Sequence, residues 1–419
     1  MLPTKSAQAG APRRILLCPG GTRGDVQPVV ALALRLQAAG HKVLIAAAPN
    51  FADWTKRQGI PFHPVGHDVQ EFMVAHSKGS DGRPVTTTRM LALVMRRSVS
   101  EQFPGLMELG GDFDLMVGAS IQMAGPSVAE HFGIPYRWAF FCPQSFPSDR
   151  HPPFIFPHQT MPRFLNRMLW TLQTHLGNWR MLGDVNRQRA RIGLGPVQDM
   201  RSHLMGHRPF LASSPELAET PPEVAAQVVQ TGFWHHEEPG ARLPEPVDRF
   251  LGGGPKPVYI GFGSMGDPNP ARSTATLREA LRRTGLRAIV YRGWAGLGEN
   301  LQEENLLVTG DTPHPLLFPR CAAVVHHGGA GTTHTAARAG VPQVIVPHLL
   351  DQFYWGHHLW QRGLAPKPLR KSRLSAGNFA AALLRATQDP SMAERAAETG
   401  TRLRQVDGVA LAMQVLLSG

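Results

Sequence analysis

Twice along this chain, short β-branched runs alternate with helical runs, and that pattern leaves little choice of fold. A strand, a helix and a second strand in succession need a crossover connection, and repeated crossovers build a parallel sheet covered on both faces. The first series opens with RILLC (14–18) and passes through a Gly-rich loop into a helix over 26–39. Pro28 sits in the first turn of that helix and Gly40 stops it, and a second strand follows at 42–47. Later strands are expected at 115–119, 136–141 and 209–212. The second series runs through 258–260, 288–291, 323–325 and 343–346. Between them lies HHEEPGARLPEPVDRFLGGGPKP (235–257), rich in proline, glycine and charge as a linker is. The sequence therefore predicts an α/β protein of two Rossmann-like domains, 1–235 and 258–391, joined by a linker over 236–257. The last stretch, 392–419, reads as helical and is expected to pack back on the N-terminal domain.

Composition narrows the partners. The 419 residues are 42% apolar and 18% charged, enough for a core in each half. The formal charge of +12 comes from 36 Arg and 7 Lys against 31 acids, alongside 43 Gly and 37 Pro. A GC-rich genome gives any protein that bias. The cations are scattered and not interleaved with aromatics, so no nucleic-acid partner is expected. An anionic substrate or an acidic membrane surface stays open. No apolar run approaches the ~18 residues of a membrane span, and MLPTKSAQAGAP lacks the apolar segment and cleavage site of a signal peptide. Cys18, Cys142 and Cys321 are odd in number and far apart, which suits a reduced, cytoplasmic protein without disulfides or thiolate metal sites.

The most informative stretch is RCAAVVHHGGAGTTHTAARAGVPQVIVPHLLDQFYWG (320–356). It reads as a buried strand, a Gly-rich turn, a helix N-terminus with Thr332 and Thr333, a second strand, and a loop ending in Asp351 and Gln352. Gly328, Gly329 and Gly331 let backbone N–H groups approach a ligand, and the helix start offers free donors and a positive dipole end that suit a phosphate. His327 adds a further hydrogen-bonding group. A bare GGAG would be no more than a tight turn; the histidine, the paired threonines and the downstream Asp-Gln make it a candidate diphosphate site.

These residues resemble the donor-binding signature of the nucleotide-sugar glycosyltransferases of GT-B architecture, two Rossmann-like domains facing across a cleft. Three other stretches agree. GGTRGDVQP (20–28) is similar to the first loop of sterol glucosyltransferases and glycopeptide-antibiotic glycosyltransferases, PVYIGFGSMG (257–266) to the start of their second domain, and RGWAGLG (292–298) to the loop after its second strand. The resemblance implies an N-terminal acceptor domain and a C-terminal donor domain. It places Asp25 at the catalytic acid-base position, at the carboxyl end of the first strand, where a carboxylate can take the acceptor's proton. Asp25 also suits a helix cap. Thr22 and Arg23 fall in the same loop on the donor side. Ser264, after Gly261 and Gly263, would hold the diphosphate opposite His327, Gly329, Gly331 and Thr332. Asp351 and Gln352 match the pair that binds sugar hydroxyls, and 310–314, ending in His314, would border the nucleobase through its backbone. The implied reaction is an inverting transfer needing no metal and no resident cofactor, with UDP-glucose or a dTDP-sugar as co-substrate.

Three other patterns carry competing readings. Asp112 and Asp114 spell the DxD metal motif of the other glycosyltransferase fold but precede an apolar strand as its polar boundary. GFGSMG (261–266) fits a dinucleotide fingerprint, yet the next strand ends in Tyr291 and Arg292, which leaves only an NADP-dependent oxidoreductase, and Pro268 and Pro270 delay the helix. The pairs at 235–236, 326–327 and 357–358 point adjacent histidines apart, so all but His327 read as structural, and His334 reads as helix surface.

The acceptor pocket should come from 60–204. Phe141, together with Phe154 and Phe156 of PPFIFP (152–157), are its candidate lining and suggest a lipophilic small molecule. From 163 to 208 eight arginines face two aspartates, with Phe164, Leu165, Met168, Leu169, Leu172 and Leu176 at helical spacing. Such a helix packs its apolar face on the core, as the general rule has it, or lies on an anionic membrane as a peripheral contact. Either a monomer or a homodimer is compatible with the sequence.

Overall fold

The computed structural model describes residues 11–69, 71–72, 87–238, 240–267, 269–294, 296–299, 301 and 303–418. In the N-terminal half β1 (Arg14–Gly20), β2 (Lys42–Ala47), β3 (Phe62–Pro64), β4 (Leu115–Ser120), β5 (Tyr136–Phe140), β6 (Phe210–Leu211) and β7 (Val229–Gln230) form one parallel sheet in the order β3-β2-β1-β4-β5-β6-β7. In the C-terminal half β8 (Val258–Ile260), β9 (Ala288–Tyr291), β10 (Leu306–Thr309), β11 (Ala323–His326) and β12 (Gln343–Ile345) form a second, in the order β10-β9-β8-β11-β12.

The strand sequences explain the layers. Side chains alternate across a sheet, and β1 is apolar on both faces: Ile15 and Leu17 join the helix Arg23–Ala38, while Leu16 and Cys18 join the helices on the opposite face. In the second sheet Val258, Ile260, Ala323 and Val325 pack on one side, and Tyr259 and Val324 on the other. Two buried faces per strand are what a doubly covered parallel sheet requires.

Three departures from the sequence reading matter. The first helix starts at Arg23 and not at Val26, which puts Asp25 in its first turn. The expected linker is not open chain: Glu245–Gly252 is a helix that docks Val247 and Leu251 beside Tyr259, Leu317 and Phe318 of the C-terminal half. The two terminal helices also part company. Pro390–Arg404 lies on the Ala330–Arg338 helix, whereas Gly408–Leu417 alone enters the N-terminal core, contributing Val409, Ala412 and Leu416 beside Val26, Val30 and Trp234. The chain thus passes between the halves near Gly232 and again near Val406, and the two passages touch. A Cβ on Gly408 would stand 2.7 Å from the carbonyl of Gly232, so only glycine allows that approach.

In each sheet the strand order reverses once, between β1 and β4 and between β8 and β11. The carboxyl ends of parallel strands at such a reversal leave a crevice that suits a ligand. The loops that matter open from these two points.

Candidate active site

After β1 the chain turns through Gly21, whose φ of +124° favours glycine and whose Cβ would lie 2.3 Å from an oxygen of Asp25. Thr22 is the N-cap. Its backbone N–H donates to Asp25 Oδ2 at 2.7 Å and its hydroxyl to the same oxygen at 3.2 Å. Asp25 therefore does part of a capping residue's work, from the third helical position, while staying at the loop's mouth. Its other oxygen, Oδ1, accepts the hydroxyl of Ser120 at 2.6 Å. Burial raises the Asp25 pKa, and the bonds from Ser120 and Thr22 oppose that rise.

Ser120 is the functional neighbour that sequence reading missed. It ends β4 with φ of +55°, a left-handed conformation uncommon for a residue with a side chain. The signal lay in the topology: a polar residue at the carboxyl end of the strand beside β1.

On the opposite side, β11 ends in His326, fully buried and kept neutral, its pKa lowered to about 3 chiefly by burial. Its Nδ1 accepts the N–H of Gly328 at 3.1 Å, so its Nε2 carries the proton and donates to Gln343 Oε1 at 2.7 Å. Gln343 in turn donates to the Thr333 carbonyl at 3.3 Å. A buried polar chain thus shapes the glycine turn. Gly328 has φ of +95°, and a Cβ there would lie 2.9 Å from the Gln352 carbonyl.

His327 stands between two glycines. A Cβ on Gly263 would come within 3.3 Å of its Cε1, and one on Gly329 within 2.5 Å of its Nε2. Its ring is held neutral, with burial lowering its pKa to about 4, and its shielded Nδ1 lacks a hydrogen-bond partner among the described residues. Gly329 caps the helix Ala330–Arg338, whose first turn presents backbone N–H groups and the positive end of its dipole. At Gly331 a Cβ would meet only Phe233, at an ordinary 3.8 Å. No clash within the protein requires glycine there. Thr332 is partly open, whereas Thr333 is buried. Ser264 lies half-buried in the turn after β8, beyond Gly263, whose φ is +60°.

Asp351 caps the helix Gln352–Gln361, directly after Leu350, another left-handed residue with φ of +52°. Burial, and after it the negative charge of Asp25, push the Asp351 carboxyl up to about 7. The charge of Asp25 is thus felt at Asp351 although the two come from different domains. Gln352 is more committed than its expected role allows. Its Oε1 accepts the N–H groups of His348 and Leu349 at 2.8 and 3.1 Å, and its Nε2 faces Met265 Sδ at 3.4 Å. Only the Nε2 edge is left for a sugar hydroxyl.

Arg23 reaches across the cleft to Asp311 at 3.0 Å and stacks over Trp54, and Asp311 also accepts the Tyr291 hydroxyl at 2.7 Å. The His314 ring is used internally, bonded to Tyr259 at 3.0 Å and stacked on Phe318. Only its backbone is left to border a base.

Phe141 belongs to the N-terminal core, packed on Phe233 and Trp234. His334 is no surface residue: it is fully buried between the halves, stacked on Phe233, donating to the Ala330 carbonyl at 2.7 Å and accepting the Ser214 N–H at 3.2 Å. Phe154 and Phe156 are half-buried in a turn. That segment approaches the C-terminal half through His151 against Tyr354 and His158 beside Arg370.

The competing motifs find structural uses. Asp112 pairs with Arg14, and Asp114 accepts the Arg14 N–H at 2.8 Å, fixing the start of β1. The next helix starts at Pro270, capped by Asn269, and not at Gly266, so GFGSMG opens no helix. Among the described residues no three His, Cys, Asp or Glu side chains converge as a metal-binding group.

Two Rossmann-like domains, with the loops at their sheet reversals meeting around a carboxylate pair and a helix N-terminus, define the GT-B class. Comparison with known proteins agrees. Residues 15–147 match the Glycosyltransferase family 28 N-terminal domain and 300–404 the Erythromycin biosynthesis protein CIII-like, C-terminal domain. Over 416 residues the chain is 34% identical to the vancomycin aglycone glucosyltransferase of Amycolatopsis orientalis, covering 96% of this chain and 97% of that protein. It is 32% identical over 416 residues to sterol 3-beta-glucosyltransferase UGT80B1 of Arabidopsis thaliana, covering 94% of this chain and 66% of that one. The solved structure of glycosyltransferase VinC in complex with DTDP superposes with a TM-score of 0.69 at 20% identity, over 97% of this chain and 98% of that one. The chain belongs to the glycosyltransferase family that contains these first two enzymes.

Proposed function

We propose that the protein is an inverting, metal-independent hexosyltransferase that moves glucose from UDP-glucose to a hydroxyl of a lipophilic small molecule, with a sterol-like acceptor. The observation that carries this reading is the pairing of Asp25, hydrogen-bonded and lifted by burial, with a neutral histidine and an open helix N-terminus across the cleft. Asp25 takes the acceptor's O–H proton as that oxygen bonds to the anomeric carbon. The bond from that carbon to the diphosphate breaks on the opposite face, and the nucleoside diphosphate leaves with the electron pair. First-turn N–H groups from Gly331 and Thr332, with His327, stabilise the charge on the departing phosphate. Gly331, which nothing in the protein forces, suits close approach of that phosphate. Asp351 and the Nε2 of Gln352 take the sugar hydroxyls.

A second reading, a natural-product aglycone as acceptor with a dTDP-sugar, is favoured by coverage: the match to the vancomycin aglycone enzyme spans nearly all of both chains, that to the plant sterol enzyme 66% of the latter. Mass spectrometry after incubation with UDP-glucose, or with dTDP-sugars, and pooled sterols, macrolides and peptide aglycones separates the two. A hexose gain on a sterol supports the first, and a gain only on an aglycone the second. No gain with any donor removes both.

A further inference from the structure

The helix Arg163–Arg191 is amphipathic in the unexpected sense. Its inward face is Asn166, Trp170, Met181, Val185 and Arg189. Side-chain bonds hold that face down along its length: Asn166 donates to the Asp149 carbonyl at 2.8 Å, Trp170 Nε1 to the His151 carbonyl at 3.0 Å, and buried Arg189 forks onto Glu130 at 2.8 and 3.1 Å. Residues spaced four apart share a helix face. Phe164, Met168, Leu172 and Leu176, with Trp179 between Met168 and Leu172 in angle, form a row of large apolar side chains pointing away from the protein. Their exposures run from 39% to 79%, Trp179 the highest. At 1.5 Å per residue the row is about 22 Å long.

Exposed arginines border it. Arg167 lies on one flank and Arg180 and Arg187 on the other, and all three are open to solvent. The single acid of the helix, Asp184, is already engaged by Arg187 and, at 3.6 Å, by Arg96 of the adjoining helix Thr87–Met107. That neighbour adds exposed Leu93. An apolar ridge between cationic flanks, on a helix fastened along its other face, is complementary to an acyl layer beneath anionic headgroups. Among the described residues no helix is long and apolar enough to cross a membrane, so the contact is in the plane of the surface.

We infer that this helix docks the protein on an anionic phospholipid bilayer, with the apolar row sunk among the acyl chains and the flanking arginines at the phosphates. The inference is independent of which acceptor the cleft takes. Its mechanical link to the cleft is short: Trp170 holds His151, and His151 packs on Tyr354 of the C-terminal half.

The test is sedimentation of the full chain with vesicles of phosphatidylcholine, with and without 30% phosphatidylserine, at low and high salt. Expected is at least ten-fold tighter binding to the anionic vesicles, weakened by salt. Leu172→Glu and the double change Arg180→Glu with Arg187→Glu should each reduce it ten-fold or more, and all these side chains are exposed, so the thermal melt should not move. A blue shift of tryptophan emission on vesicle addition, absent in Trp179→Phe, places the row in the lipid. Absence of binding at low salt, or binding that survives Leu172→Glu, overturns the proposal. So does a concentration-dependent dimer that Leu172→Glu abolishes while vesicles leave the protein unbound, which would give the face to a second copy.

Discussion

The charge of Asp25 raises the cost of ionising Asp351, and the consequence can be measured. With a carboxyl pushed up to about 7, Asp351 is half protonated near neutral pH in the free protein. If it accepts sugar hydroxyls as a carboxylate, affinity for UDP-glucose should climb as pH rises from 6 to 8. Replacing Asp25 by Asn removes the neighbouring charge and should move that climb to lower pH, read by titration calorimetry. The same variant should retain UDP binding and lose most turnover; near-normal transfer would remove Asp25 as the base. Folding gives a separate check. An acid whose pKa is raised in the folded state favours folding below its unfolded value, and that advantage is lost as pH rises through the folded value. Asp351→Asn should therefore flatten the fall in stability between pH 4 and 7. Ser120 is expected to act by positioning. Ser120→Gly relieves a left-handed serine, so stability should hold or rise by up to about 1 kcal/mol. The lost hydrogen bond raises the Asp25 pKa further and should move the acidic limb of kcat/KM to higher pH. An unmoved limb would make Ser120 merely structural.

At the scale of elements, the strands that sequence reading missed share one property. β3, β7 and β10 are all sheet edges. Interior strands such as β1 and β11 are buried on both faces and announce themselves as β-branched runs, while Phe62–Pro64 and Val229–Gln230 are short, partly exposed and carry no such run. The donor turn was legible because its chemistry is contiguous in the chain. Ser120 and the clamp on Gln352 were not, because they depend on which loops the topology brings together. The helix Arg163–Arg191 was legible as amphipathic, but periodicity alone does not say which apolar set faces inward; Trp170, Met181 and Val185 took that side. Its far end should depend on Arg189. Arg189→Leu leaves the half-exposed Glu130 without its bidentate partner, and a loss of about 2 kcal/mol is expected in urea unfolding.

Over the whole molecule, the halves are held by directed contacts: His334 under Ser214, Arg362 donating to the Glu216 carbonyl at 2.9 Å, and Arg23 on Asp311. The last is exposed, and such pairs contribute at most about 1 kcal/mol. Arg23→Ala should leave the melting temperature nearly unchanged and raise KM for the donor, because its effect is on how the cleft closes. Deleting 407–418 is a different matter. It strips Val409, Ala412 and Leu416 from the N-terminal core, a loss of roughly 4 to 6 kcal/mol, and the truncated protein should melt early with the N-terminal half unfolding first by proteolysis.

That returning helix also sets an order of events during synthesis. Domains generally mature from the N-terminus as the ribosome releases them, yet here the wall that covers Val26 and Val30 is translated only after the second sheet and its helices. The first domain to emerge must wait, its core open on one side, until the whole of the second has followed it out. The nascent chain carries an unsealed apolar face for as long as the second domain takes to be made, and that is the interval in which a chaperone has something to hold.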